Sequence, residues 1–256
     1  METVAHKKSK PSWKTYWLLV RIALIAYVAI YLVSELTLKY IVPVDSIQTP
    51  PLSADKNYWF AFTFFLVAAP VIYFGNCLLK GGIIKVKWSR LLLYMGVTML
   101  FGSTLELVVN HLFEAFMGRP SWLYHVWPKY RGFTSGVTSI MWPLYGIHLL
   151  FFHEAMSNRN SSLISTIPVK GIMLAIDAMI METIANLFSL IAFKSYYFYY
   201  LFGDLNHFTT IEIFIPYALV GLFTMTLFYF LDRPQNPKIL IGICTLIGGW
   251  CVLYFG

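Results

Sequence analysis

The sequence predicts an all-α polytopic membrane protein, about seven transmembrane helices with an internal two-helix repeat, on three observations. Hydrophobic residues make up 58% of the 256 and charged residues only 12%, with a mean hydropathy of +0.66, and so little polar surface cannot clothe a soluble globule. Apolar runs long enough to cross a bilayer recur along the chain, separated by short stretches that hold most of the charges. A Glu-x-x-x-Asn pair also occurs twice inside such runs, as Glu106 with Asn110 and as Glu182 with Asn186.

The elements follow in order. A basic segment with Lys7, Lys8, Lys10 and Lys14 precedes the apolar run 16–38. That run is longer than the core of a secretory signal and is expected to stay as the first span, with Arg21 snorkelling toward the interface. Residues 39–57 carry three prolines, Asp45 and Asp55, and read as a loop. The second span is expected at 58–79, and a basic turn with Lys80, Lys85, Lys87 and Arg90 leads to a third at 91–113. Residues 118–131 mix Trp, Tyr and Arg, a composition suited to the headgroup level with half-buried rings. The run 132–156 is expected to hold the fourth span at 133–152, which at 1.5 Å per residue covers about 30 Å. It has Pro143 near its middle and His148, His153 and Glu154 toward its end. A polar turn at 157–165 precedes a fifth span at 167–193, a second aromatic loop fills 194–207, and a sixth span runs over 208–231. After a tight turn at 232–237, residues 238–256 make the seventh. The chain thus reads as one membrane domain, 1–256, with hairpins at 91–153 and 167–231, a weaker first hairpin at 16–79 and a final helix at 238–256.

Charge placement gives the orientation. With the N-terminus inside, twelve Lys and Arg fall in inner segments and six in outer ones, Arg21 lying within the first span. This predicts a cytoplasmic N-terminus and an outside C-terminus, and it puts the sequon at Asn160 in the cytosol. The net charge of +7 is spread between apolar runs and not along a stripe, which argues against nucleic acid. Cys77, Cys244 and Cys251 lie inside apolar segments without CxxC spacing, so no disulfide framework is expected.

The repeat extends beyond the Glu/Asn pairs. Each pair shares a helix face and is followed by an aromatic loop, then by threonines (Thr134 and Thr138; Thr209 and Thr210), then by a proline expected in mid-span (Pro143; Pro216). A fainter third copy runs from Glu35 and Lys39 to Pro70. Carboxylates are costly at membrane depth, so Glu106, Asn110, Glu182 and Asn186 are expected either to line a shared polar cavity, with proline-freed carbonyls helping to coordinate a substrate or ion, or to hold helices together by hydrogen bonds. Asp177, five residues before Glu182, would bring a second carboxylate near it and suit a proton-coupled step, or equally would pack against a basic neighbour. His148 joins the candidate pathway residues. His148 and His153 lack the spacing that puts two metal ligands on one face, and no nucleotide-binding or nucleophile motif is present, so neither a metal nor a cofactor is expected.

The run 136–156, the upstream Glu106 with Asn110, and Glu182 followed by residues 204–221 resemble a family of small polytopic proteins labelled type IV ABC-transporter permeases, which includes vertebrate transmembrane proteins of unknown function. In the second half Met181-Glu182 and residues 197–200 stand where the family carries Trp-Glu and Trp-Asp-Tyr. The resemblance implies a permease working with a separate ATPase subunit. Three functions stay open: a transport component, which leads; a membrane-embedded enzyme acting on a lipid or sterol; and a non-catalytic scaffold.

Overall fold

The computed structural model describes residues 13–47, 54–157 and 166–255. Lys7, Lys8, Lys10 and the Asn160 sequon lie outside them. The described chain forms seven long helices, with short strands between them: α1 (Trp13–Leu36), α2 (Ala54–Lys80), α3 (Trp88–Met117), β1 (Trp122–Tyr124), β2 (Pro128–Lys129), β3 (Thr134–Ser135), α4 (Thr138–Ser157), α5 (Ile167–Phe193), β4 (Phe198–Tyr200), α6 (Phe214–Leu231) and α7 (Lys238–Phe255). All seven helices but α4 are long and apolar enough to cross a bilayer. Ile25 at 69% and Phe74 at 63% exposure belong to bare apolar faces that only a hydrocarbon solvent tolerates. The chain is a multi-pass membrane protein.

The central run differs from its expectation. The helix begins at Thr138 and not at 133, because Thr134 and Ser135 pair as a strand with Pro128 and Lys129. Its 20 residues suffice in length for about 30 Å, yet it is the one long helix not apolar enough by itself. His148, His153, Glu154 and its hydroxyls turn toward neighbouring helices, since α2 and α3 pack along it. Pro143 frees the Ser139 carbonyl, but that oxygen accepts from Trp250 Nε1 of α7 at 3.4 Å and coordinates nothing in the bundle. Pro216 is not in mid-span either. It is the third residue of α6, in the first turn, where a missing N–H costs no hydrogen bond.

Helix α3 is the hub, packed against α7 on one side and α4 on the other, while α5 packs mainly on α6 and α1 leans on α5. The α3/α7 seam is made by glycine. A Cβ on Gly242 would stand 2.5 Å from the Leu92 carbonyl oxygen and one on Gly249 2.7 Å from the Met99 carbonyl carbon, so the two backbones touch as small-residue membrane seams do.

The two ends of the bundle contrast. At one end Arg90 bonds Glu154 and donates from Nε to Asp232 Oδ2 at 2.7 Å, with Lys238 Nζ 3.7 Å from Asp232 Oδ1. This ion cluster pins the start of α3, the ends of α4 and α6 and the start of α7. At the other end the two aromatic loops meet. Strand β1 pairs antiparallel with β4, Trp122 opposite Tyr200, Leu123 opposite Tyr199 and Tyr124 opposite Phe198. Expected at the wet headgroup level, the loops are instead folded inward: Trp122, Tyr124, Tyr197, Phe198 and Tyr200 are all buried, packed with Phe60 of α2. The ribbon satisfies their backbone groups internally, which lets the rings leave the interface.

Candidate functional site

Two hydrogen-bonded frames carry the polar residues singled out above. Helix α3 stops at Gly118 (φ 71°) and α5 stops at Lys194 (φ 55°), both in the left-handed conformation, so each chain folds back over the helix it has just left. Within the first frame Asn110 Oδ1 accepts the N–H groups of Ser121 at 2.9 Å and Trp122 at 3.3 Å, and Nδ2 donates to the Phe133 carbonyl at 3.3 Å. Within the second, Asn186 Oδ1 accepts from Tyr197 at 3.0 Å and Phe198 at 3.3 Å, and Nδ2 donates to Phe208 at 3.0 Å. The accepted N–H groups lie 11 and 12 residues downstream in both. Each asparagine uses three of its four hydrogen-bonding positions to hold a loop.

One turn deeper sit the glutamates. Glu106 accepts from the hydroxyls of Tyr124 and Thr134. Glu182 accepts from Tyr200 Oη at 2.6 Å, Thr209 Oγ1 at 2.7 Å and the Tyr217 hydroxyl. The tyrosine lies 18 residues after the glutamate in both frames, and the threonine 28 or 27. The spacing Glu-x-x-x-Asn was legible in the sequence, and the threonines and aromatic loops were seen to recur with it. That particular tyrosines and threonines bond the glutamates was not.

Glu106 and Glu182 line one cavity of about 230 Å³ in the middle of the bundle. Tyr124, Tyr200, Tyr217 and Trp142 form its polar end with them, and its remaining walls are mostly apolar, including Val67, Phe101, Leu144 and Val220. The Trp142 indole nitrogen is buried there beside Glu106. Val67, Val71 and Ile184 line the cavity and are 50%, 54% and 48% exposed, so it opens toward the lipid side, where α2 and α5 touch only sparsely. Asn110 and Asn186 do not line it, being turned to the loops.

Asp177 and His148 form a separate group about 7 Å further from the aromatic loops, five residues along α5. His148 Nε2 lies 3.0 Å from both Asp177 oxygens, and Nδ1 lies 3.0 Å from Asn76 Nδ2. Because Asn76 Nδ2 as assigned can only donate, Nδ1 accepts and Nε2–H points to Asp177. Tyr145, on the cavity wall, donates to Asp177 Oδ2 at 3.2 Å and is the link between this group and the cavity. The partner of Asp177 is therefore a histidine of α4, the basic neighbour of the two expected alternatives and not a second carboxylate. The fainter third copy does not form a frame: Glu35 accepts from Asn206 Nδ2 at 3.1 Å, beside Ser34 Oγ at 2.9 Å, which latches α1 to the second aromatic loop. Sequence reasoning missed Tyr217, which has no counterpart in the first half, and missed that Arg90 gathers Glu154 and Asp232. The alternating direction of successive helices places these last three at one end of the bundle.

The fold and the site define a multi-pass membrane protein with an acidic, otherwise apolar cavity roofed by two paired loops. No family model, curated protein or solved structure matches the chain.

Proposed function

We infer that this protein is a transport component, a permease whose pathway passes the Glu106/Glu182 cavity. One observation carries the reading: two carboxylates from different helices, each in its own hydroxyl frame, line a single cavity at membrane depth. Such intramembrane acids mark substrate or ion pathways more often than they serve packing. A pure scaffold has no use for a cavity, and an acid needed only for helix association would be better replaced by an amide. The recurrence of the frames at a near-constant offset supports an internal repeat, with the site at the junction of its two hairpins. The resemblance to type IV ABC-transporter permeases, with a separate ATPase subunit as partner, belongs to the same reading. So does a seven-span topology with the N-terminus in the cytoplasm and the C-terminus outside, in which α4 crosses inside the bundle.

The test is transport in proteoliposomes of a panel of fluorescent hydrophobic compounds, with Glu106→Gln and Glu182→Gln as separate variants. Either substitution abolishes transport while the protein still inserts. Transport unchanged in both variants ends this reading. The topology is checked at Asn160 in a eukaryotic secretory membrane, where no glycan should appear; a glycan there would overturn the orientation.

A further inference from the structure

Resting on that reading, we propose that the cavity binds an amphipathic amine, an ammonium head against Glu106 and Glu182 with an apolar body in the pocket lined by α2 to α6. The wall supplies acceptors and almost no free donors. Tyr124 and Thr134 already donate to Glu106, and Tyr200, Thr209 and Tyr217 to Glu182. An ionised carboxyl has about four acceptor sites, so acceptor capacity remains at both Glu106 and Glu182. An ammonium brings three donors and no acceptor. No Lys, Arg or His is among the described residues that line the cavity, and the other donors there, the Trp122 and Trp142 indoles and the Thr224 hydroxyl, carry no charge. A carboxylate or phosphate head would therefore meet two like charges with no counter-charge, in surroundings where an unpaired ion is very costly. A cation there gains a hydrogen-bonded ion pair instead.

The remainder of the lining fits the other half of the molecule. Val67, Val71, Phe101, Leu144, Leu174 and Val220 offer a hydrocarbon surface, and the opening between α2 and α5 faces the bilayer. A ligand dissolved in the membrane reaches the acids tail and all without crossing the aromatic roof.

The experiment uses the full chain in phosphatidylcholine nanodiscs and three photoreactive probes of equal chain length: a long-chain primary amine, the corresponding alcohol and the corresponding carboxylic acid, each with a diazirine in the tail. After irradiation, labelled peptides are mapped by mass spectrometry. The amine labels the cavity-lining segments of α3 and α6 about tenfold more than either other probe, a difference of 1.4 kcal/mol. Combined Glu106→Gln and Glu182→Gln brings the amine down to the level of the alcohol. Ala178→Phe, which fills the pocket and leaves both acids in place, removes labelling by all three, so the proposal does not depend on the double variant folding. Equal labelling by the acid or the alcohol in the unaltered protein overturns it, as does amine labelling that Ala178→Phe leaves unchanged. Amine binding without transport would remove the permease reading and keep the site; transport without amine preference would do the reverse.

Discussion

The frames around Glu106 and Glu182 solve one problem with different completeness. Around Glu106 two hydroxyls suffice and the side chain is buried, at 5% exposure. Glu182 takes a third hydroxyl from Tyr217 and is only partly buried. Tyr217 follows Pro216 in α6, whereas the residue after Pro143 in α4 is the apolar Leu144. Where the frames coincide is at the asparagines, with the same three kinds of backbone partner. The constant part therefore fixes the loops, and the part that varies faces the cavity, which is where a ligand would discriminate between the halves.

Removing the constant part should be the most damaging change. Asn110→Ala or Asn186→Ala strands two N–H groups and one carbonyl, each costing about 1 to 3 kcal/mol when buried. We expect a loss of about 3 kcal/mol or more from either, a fall of roughly 6 to 12 °C in the thermal midpoint in detergent. If one variant is damaging and the other silent, the frames are not equivalent.

A smaller difference separates the loops by pH. His125 in the first loop is pushed down from 6.5 to about 4 by burial, while the residue at the same offset in the second loop is Leu201. A folded value below the unfolded one means that the neutral ring is favoured in the fold. The stability is complete above about pH 6.5 and is lost as pH falls from there toward 4, by up to roughly 3 kcal/mol. His125→Leu should flatten the dependence of the melting midpoint between pH 7 and 4; an unaltered slope would show that other groups control it. The smallest contrast is between the hydroxyls. Tyr124→Phe takes one of two donors from the more buried acid and should cost about 2 kcal/mol, and Tyr217→Phe takes one of three and should cost about 1. Melting curves that rank them in the opposite order would mean that exposure of the acid outweighs its donor count.

Much of the fold was legible because its solvent is. Five of the seven expected spans agree with the helices within a few residues, since spanning length and apolarity are local properties. The two that shifted, α4 and α6, are those preceded by aromatic loops. There Thr134 and Ser135 pair with Lys129 and Pro128 just upstream, and the residues before Phe214 form a short 3-10 turn, so the apolar run begins before the helix does and its length alone overshoots the helix start. The shared cavity of Glu106 and Glu182 followed from the cost of a carboxylate in lipid. The turning of Asn110 and Asn186 away from it did not, because their partners are main-chain groups, which every sequence has. The pairing of His148 with Asp177 was obscured for a similar reason: the two lie on successive helices, and spacing along one helix says nothing about them.

The β1/β4 ribbon also sets a timetable. Leu123 and Tyr199 are opposite each other but 76 positions apart, and at about 5 to 20 residues per second of synthesis the first strand waits roughly 4 to 15 s for its mate. Throughout that interval Trp122 and Tyr124 have no ribbon to bury them, although α3 is already made and α4 is completed on the way. Burial of the first half's aromatic loop is therefore completed only by the second, and a chain halted after α4 lacks the strand that pairs with Trp122 to Tyr124.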